Sequence, residues 1–136
     1  DAVMGVRRKA RELALKAVFE MDFSQIASER VLARIREEHK LDNDVYDFLK
    51  QLLDAYEVNS LAVNQTIERF SNNWKLSRMA SVDRNILRLG VIEIVYLADI
   101  PKNVTINEYL EVAKKYGTEE SSSFVNGILD KINPTP

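Results

Sequence analysis

The chain has 136 residues, 46% of them hydrophobic, with 19 Lys+Arg against 21 Asp+Glu and no cysteine. That is enough apolar content for one globular domain with a real core, and the missing cysteine excludes disulfides, thiolate chemistry and Cys-ligated metal sites. The longest apolar stretch, residues 86–98, is broken by Arg88 and Glu93 and is too short to span a bilayer; the N-terminus is basic and then amphipathic, unlike a secretory signal, so a soluble, cytoplasmic protein is expected.

Asp1, Ala2 and Val3, ahead of Met4, carry no weight in the reading. Within residues 1–16 five bases (Arg7, Arg8, Lys9, Arg11 and Lys16) face two acids, Asp1 and Glu12, giving net +3 and leaving −5 elsewhere. A concentrated cationic face on an otherwise acidic chain is the footprint of a polyanion binder, because neutralised phosphates release counterions; a merely solvated helix face is the alternative. Ala10, Leu13, Ala14, Ala17, Val18 and Met21 recur at helical spacing, which predicts a first helix over about 6–23. At about 100° per residue, Arg8, Leu15 and Phe19 fall opposite that stripe. Two readings of Phe19 stand: its ring stacks on an unpaired base beside the arginines, or Leu15 and Phe19 pack into the fold.

Ser28 is a plausible N-cap for a short second helix carrying Val31, Leu32 and Ile35. A third opens at Asn43 or Asp44 and buries Val45, Phe48, Leu49, Leu52, Leu53 and Tyr56. A fourth starts at Ser60, carries Leu61, Val63, Ile67 and Phe70, and ends in Ser71-Asn72-Asn73, the expected boundary between two halves. Trp74 and Leu76 are expected to anchor the crossover. Residues 82–98 place apolar side chains at every azimuth and predict a central helix, ended by Asp99-Ile100-Pro101. Thr105 to Glu108 reads as a capping box for a helix burying Ile106, Tyr109, Leu110 and Ala113 and stopping at a left-handed Gly117. Thr118 is then expected to cap a last helix with Val125, Ile128, Leu129 and Ile132 on its stripe, and Gly127 to admit close packing of another helix. The expectation is therefore an all-α domain of about seven helices.

Catalytic constellations are weak. His39 is the only histidine and lies among two glutamates and a lysine with no nucleophile motif near it. Asp42, Asp44 and Asp47 lack the glycine and closing glutamate of a calcium loop, and helix capping accounts for them. Glu119 and Glu120 suit the dipole at the start of the last helix. With no glycine-rich phosphate loop, a binding module is expected rather than an enzyme, without cofactor or metal.

Several segments together resemble the NusB family of transcription antitermination factors, in its single-domain bacterial form. The resemblance rests on Arg7-Arg8-Lys9-Ala10-Arg11-Glu12 with Ala17-Val18-Phe19, and on Trp74 with the run from Val82 to Leu89 and Glu93. It extends through Ile100-Pro101, Val104, Ile106-Asn107-Glu108, Ala113-Lys114, Tyr116-Gly117 and the run from Phe124 to Lys131. It implies two small helical subdomains, about 6–71 and 74–133. It also implies binding of single-stranded boxA RNA together with NusE, a small-subunit ribosomal protein, and joining of the elongating RNA polymerase complex with other Nus factors in ribosomal RNA transcription. Carried over by position, Arg7, Arg8, Lys9, Arg11 and Phe19 face RNA, as do Tyr116, Glu120 and Phe124, while Asp83 faces NusE. Phe19 lacks a tyrosine hydroxyl, which leaves stacking alone at that position.

Phe124 also sits at the edge of a buried stripe, Tyr116 also suits covering a helix end, and Arg88 and Glu93 are expected to find structural partners. A similar domain occurs fused to ribosomal RNA cytosine methyltransferases; without a cysteine nucleophile the free factor is expected. The alternative function is a non-catalytic helical protein-interaction module with a basic arm. A homodimer is left open.

Overall fold

The computed structural model describes residues 2–72, 74–97 and 99–134, with side chains from Gly5 onward. Asn73, the last residue of the expected boundary, and Ala98, the expected end of the central helix, lie outside the described residues. Among the described residues there are six α-helices and no strand: α1 (Ala2–Ser24), α2 (Ser28–His39), α3 (Asn43–Phe70), α4 (Ser81–Val91), α5 (Lys102–Tyr116) and α6 (Ser121–Leu129). A 3₁₀ turn, Leu76–Arg78, precedes α4, and a π-helical segment, Ile92–Tyr96, extends it. None of the described helices is long and apolar enough to cross a membrane. The chain divides into two compact units, residues 1–58 and 59–136.

In the first unit the α1 stripe is buried as its spacing predicts, from Ala10 to Met21, and Leu15 on the opposite side is buried as well. Helix α2 packs on α1 through Val31, Leu32 and Ile35, and Arg34 links Glu20 of α1 and Glu38 of its own helix. Ser28 is not the N-cap: it is the first residue of α2, after Ala27. Its amide donates to Glu57 Oε2 at 2.6 Å, and its hydroxyl lies 3.0 Å from Asp54 Oδ1 and 3.2 Å from Glu57 Oε1. Glu57 of α3 therefore accepts a backbone donor at the helix start, where a local side chain was expected to do so, and Asp54 accepts from the Ser28 hydroxyl. Asp54 also binds Lys50 at 2.6 Å, and that hydrogen bond and charge raise the lysine above its usual pKa. At the other end Lys40 adopts a left-handed conformation (φ 49°) and its amide returns to the Arg36 carbonyl, the cap geometry glycine usually supplies.

The expected break before Ser60 does not exist. Residues 43–70 contain neither Gly nor Pro, so nothing in the backbone stops α3, and the unit boundary falls inside it after Val58 rather than in the polar run at 71–73. Val63 and Ile67 are buried as expected, but Leu61 is exposed.

In the second unit α4, α5 and α6 pack on one another. One close approach is at Gly90 of α4, where an added Cβ would lie 2.7 Å from Leu129 Cδ1 of α6. Gly127, expected to play that part, has open space around it. Arg88, buried, donates from Nε to Asn64 Oδ1 (2.9 Å) and from a terminal nitrogen to Asn85 Oδ1 (3.0 Å). Glu93, fully buried in the π segment, accepts from the Thr105 hydroxyl at 3.3 Å. That bond replaces the expected capping box: α5 starts at Lys102, three residues before Thr105, and Thr105 faces inward.

Candidate nucleic-acid interface

Helix α1, in the first unit, carries the basic run, and its arginines are not equivalent. Arg8 and Lys9 are exposed, and so is Lys16 two turns further on. Arg7 is half-buried and Arg11 is 1% exposed, each with its guanidinium carbon 5.3 Å from the centre of the same buried ring, Phe48 of α3. A guanidinium above an aromatic face is attracted by the ring quadrupole, more strongly where water is excluded. Of the basic run expected to face RNA, the surface thus presents Arg8 and Lys9, with Arg11 drawn inward. Helical spacing explains why: Arg7 and Arg11 are one turn apart and share a face, and α3 places an aromatic ring there.

Phe19 is 48% exposed, and Phe23, one turn later, is 82% exposed; their rings are parallel within 5° with centroids 6.2 Å apart. Of the two readings of this face, Leu15 follows the packing one and Phe19 keeps an accessible ring. Phe23 was missed on the sequence, although its i, i+4 spacing from Phe19 was the available signal.

The other residues expected to face RNA lie in the second unit. Tyr116, half-buried at the end of α5, has Lys115 Nζ 5.3 Å from its ring centre. Gly117 follows, but in an extended conformation (φ −99°) rather than a left-handed one. Glycine is needed there for space: a Cβ would lie 2.3 Å from Ser121 Oγ and 2.8 Å from the Ala113 carbonyl oxygen. Ser121, nearly inaccessible, explains the crowding, because its hydroxyl accepts the Thr118 amide at 2.9 Å while its own amide donates to the Thr118 carbonyl at 3.1 Å. So Thr118 does not cap α6 through its side chain as expected; its hydroxyl lies 3.2 Å from Glu120 Oε2 instead. Glu119 and Glu120 occupy the turn before α6, exposed, and Glu120 accepts the Phe124 amide through its carbonyl.

Phe124 is half-buried and meets Trp74 edge-on, centroids 6.3 Å apart at 62°. Trp74 is 55% exposed, so of the two residues expected to anchor the crossover only Leu76 does so. Asp83 lies in the first turn of α4, where its charge complements the helix dipole. Its Oδ1 is buried, with no hydrogen-bond partner among the described residues. His39 is exposed in the last turn of α2, and Asp42, Asp44 and Asp47 are exposed around the start of α3. No cluster of potential metal ligands occurs among the described residues.

The fold and these surfaces define an all-helical protein whose distinctive chemistry lies in exposed cations and accessible rings. The profile of the NusB family matches residues 8–134. A transcription antitermination protein NusB from Geotalea uraniireducens is 47% identical over 95% of this chain and 94% of its own length, and one from Myxococcus xanthus is 41% identical over 95% of both. Among solved structures, NusB from T. maritima superposes with a TM-score of 0.84 at 38% identity, covering 92% of this chain and 88% of its own. A structure of antitermination factors NusB and NusE in complex with dsRNA gives 0.84 at 28% identity, covering 93% and 95%. The chain belongs to the NusB family.

Proposed function

We propose that this chain is a non-catalytic RNA-binding antitermination factor that takes single-stranded boxA RNA together with NusE and joins the elongating RNA polymerase complex in ribosomal RNA transcription. The observation that carries the reading is the α1 edge: Arg8 and Lys9 are exposed one helix face away from a buried stripe, with the accessible Phe19 and Phe23 rings further along the same helix. Cations there attract phosphates without regard to sequence, and a ring stacks on an unpaired base. The relative solved with NusE and dsRNA supports RNA and NusE as the partner pair.

In this reading Arg8 and Lys9 meet phosphates directly, while Arg7 and Arg11, seated on Phe48, fix the helix and add positive potential behind them. Tyr116, Glu120 and Phe124 of the second unit also face RNA. Asp83, half-buried in the first turn of α4, meets NusE. The mechanism is scaffolding: RNA and NusE each bind more tightly in the presence of the other, a coupling free energy and not a reaction.

The test is a titration with labelled boxA RNA, with and without NusE, on protein whose mass in solution is measured so that a homodimer is recognised. Tighter RNA binding with NusE, and stronger competition by unpaired RNA than by duplex RNA or DNA of equal charge, is the expected result. Equal competition by any polyanion would reduce the function to a basic arm on a protein-interaction module.

A further inference from the structure

Trp74 is the single tryptophan of the chain and more than half of it is exposed. An indole on a surface buries little apolar area, and a loosely attached one would call for no explanation. This one is held firmly. Its amide donates to the Ser71 carbonyl at 3.1 Å, and its own carbonyl accepts the hydroxyl of buried Ser71 at 2.9 Å. Two residues on, the Leu76 amide donates to Glu68 Oε2 at 3.0 Å while the Leu76 side chain is buried. The segment is thus fixed on both sides of the indole, and the edge of the Phe124 ring orients it.

The exposed charge of the segment is basic, and the Glu68 carboxylate that meets it is half-buried and accepts the Leu76 amide. Residues 71–82 contain two cations, Lys75 and Arg78, both exposed, and no acid. The acids nearest to Phe124 in sequence, Glu119 and Glu120, lie in the turn before α6, where Glu120 is engaged by Thr118. A rigid indole flanked by cations has the composition of a single-stranded nucleic-acid platform, in which a base stacks on the ring and its phosphates meet the basic side chains.

We infer that Trp74, braced by Phe124, is a stacking surface for an unpaired RNA base, with Lys75 and Arg78 receiving the adjoining phosphates. The inference rests on the RNA-binding reading above and adds to it a residue whose ring, not its charge, selects unpaired over paired RNA.

Because no other tryptophan contributes, indole emission reports this residue alone. A labelled single-stranded boxA RNA is titrated into wild-type protein while label anisotropy and tryptophan emission are followed together. Saturation should quench the emission in step with the anisotropy change. Trp74→Leu should weaken binding about 5- to 100-fold, Trp74→Phe should restore part of that loss, and circular dichroism of both should match wild type. Lys75→Ala with Arg78→Ala should flatten the salt dependence of log K by about 1.4. RNA that binds by anisotropy without changing the emission, and binds Trp74→Leu equally well, would overturn the inference while leaving the RNA reading intact. No anisotropy change with wild type would overturn the RNA reading itself. Emission that responds to NusE alone and not to RNA would reassign the indole to a protein contact and overturn the inference as well.

Discussion

Two surfaces, one in each unit, solve the presentation of a side chain in opposite ways. On α1 a dense basic run is thinned by the fold, since Arg7 and Arg11 are drawn to the Phe48 ring and leave Arg8 and Lys9 outside. In the segment after α3 a sparse sequence is stiffened by the fold, since side chain to backbone hydrogen bonds at Ser71 and Glu68 hold one indole out. Charge density along a sequence therefore does not measure charge offered to a partner, and an exposed ring is informative only when its backbone is held.

The sharpest way to break the α1 side of this contrast is Arg11→Ala. Removing a buried stem and its seat on Phe48 should cost about 3 kcal/mol, from three methylenes at about 0.8 kcal/mol each and a desolvated cation–π contact. For a chain of this size the melting temperature should fall by roughly 10 °C. Arg8→Ala should leave stability within about 0.5 kcal/mol. Equal melting temperatures for the two variants would show that Arg11 is no more a structural residue than Arg8.

Next in size is Gly117→Ala. The new methyl would meet Ser121 Oγ, Ser121 Cβ and the Ala113 carbonyl oxygen, all within 2.8 Å. Ser121 is locked by its reciprocal bonds with Thr118, so the strain cannot be relieved by a rotamer change alone. A loss of about 1–3 kcal/mol is expected in denaturant unfolding, together with weaker RNA binding through the displaced Tyr116. A stability equal to wild type would mean that the α5 to α6 turn yields freely.

The double variant Arg8→Ala with Lys9→Ala separates affinity from stability. Binding to single-stranded RNA should weaken by about tenfold and the slope of log K against log salt should flatten by about 1.4, with unfolding unchanged. An unchanged slope would return both residues to simple solvation.

What the sequence made legible follows from which interactions are local. Helical stripes are periodic, so Ala10 to Met21, Val45 to Tyr56 and Val125 to Ile132 were readable and are buried. Start and stop signals were not, because the same residue types serve tertiary bonds. Ser28 is satisfied by carboxylates about 26 to 29 residues away, and Thr105 by Glu93. The continuity of α3 was hidden by the polar residues Glu57, Asn59 and Ser60, of which Glu57 is recruited by Ser28 and needs no break. At the candidate site, residue types and the α1 face were readable, whereas the inward turn of Arg11 depends on where α3 puts Phe48. The exposure of Trp74 depends in the same way on the hydrogen bonds of Ser71 and Glu68.

The smallest effect tests the glycines. Gly127 lies exposed within α6 and an added Cβ there would meet nothing within 4 Å, whereas at Gly90 a Cβ would lie 2.7 and 2.9 Å from the two Leu129 methyls. Helix propensity favours alanine over glycine by up to about 1 kcal/mol in a helix interior, and less in the last turn. Gly127→Ala should therefore gain about 0.5 kcal/mol in thermal unfolding. Gly90→Ala gains the same propensity but must shift Leu129, whose methyls are the mobile end of the side chain, so its net change should be unfavourable by no more than about 1–3 kcal/mol. A destabilised Gly127→Ala would show that the space beside α6 is not open, and would return to that position the close packing that the structure assigns to Gly90.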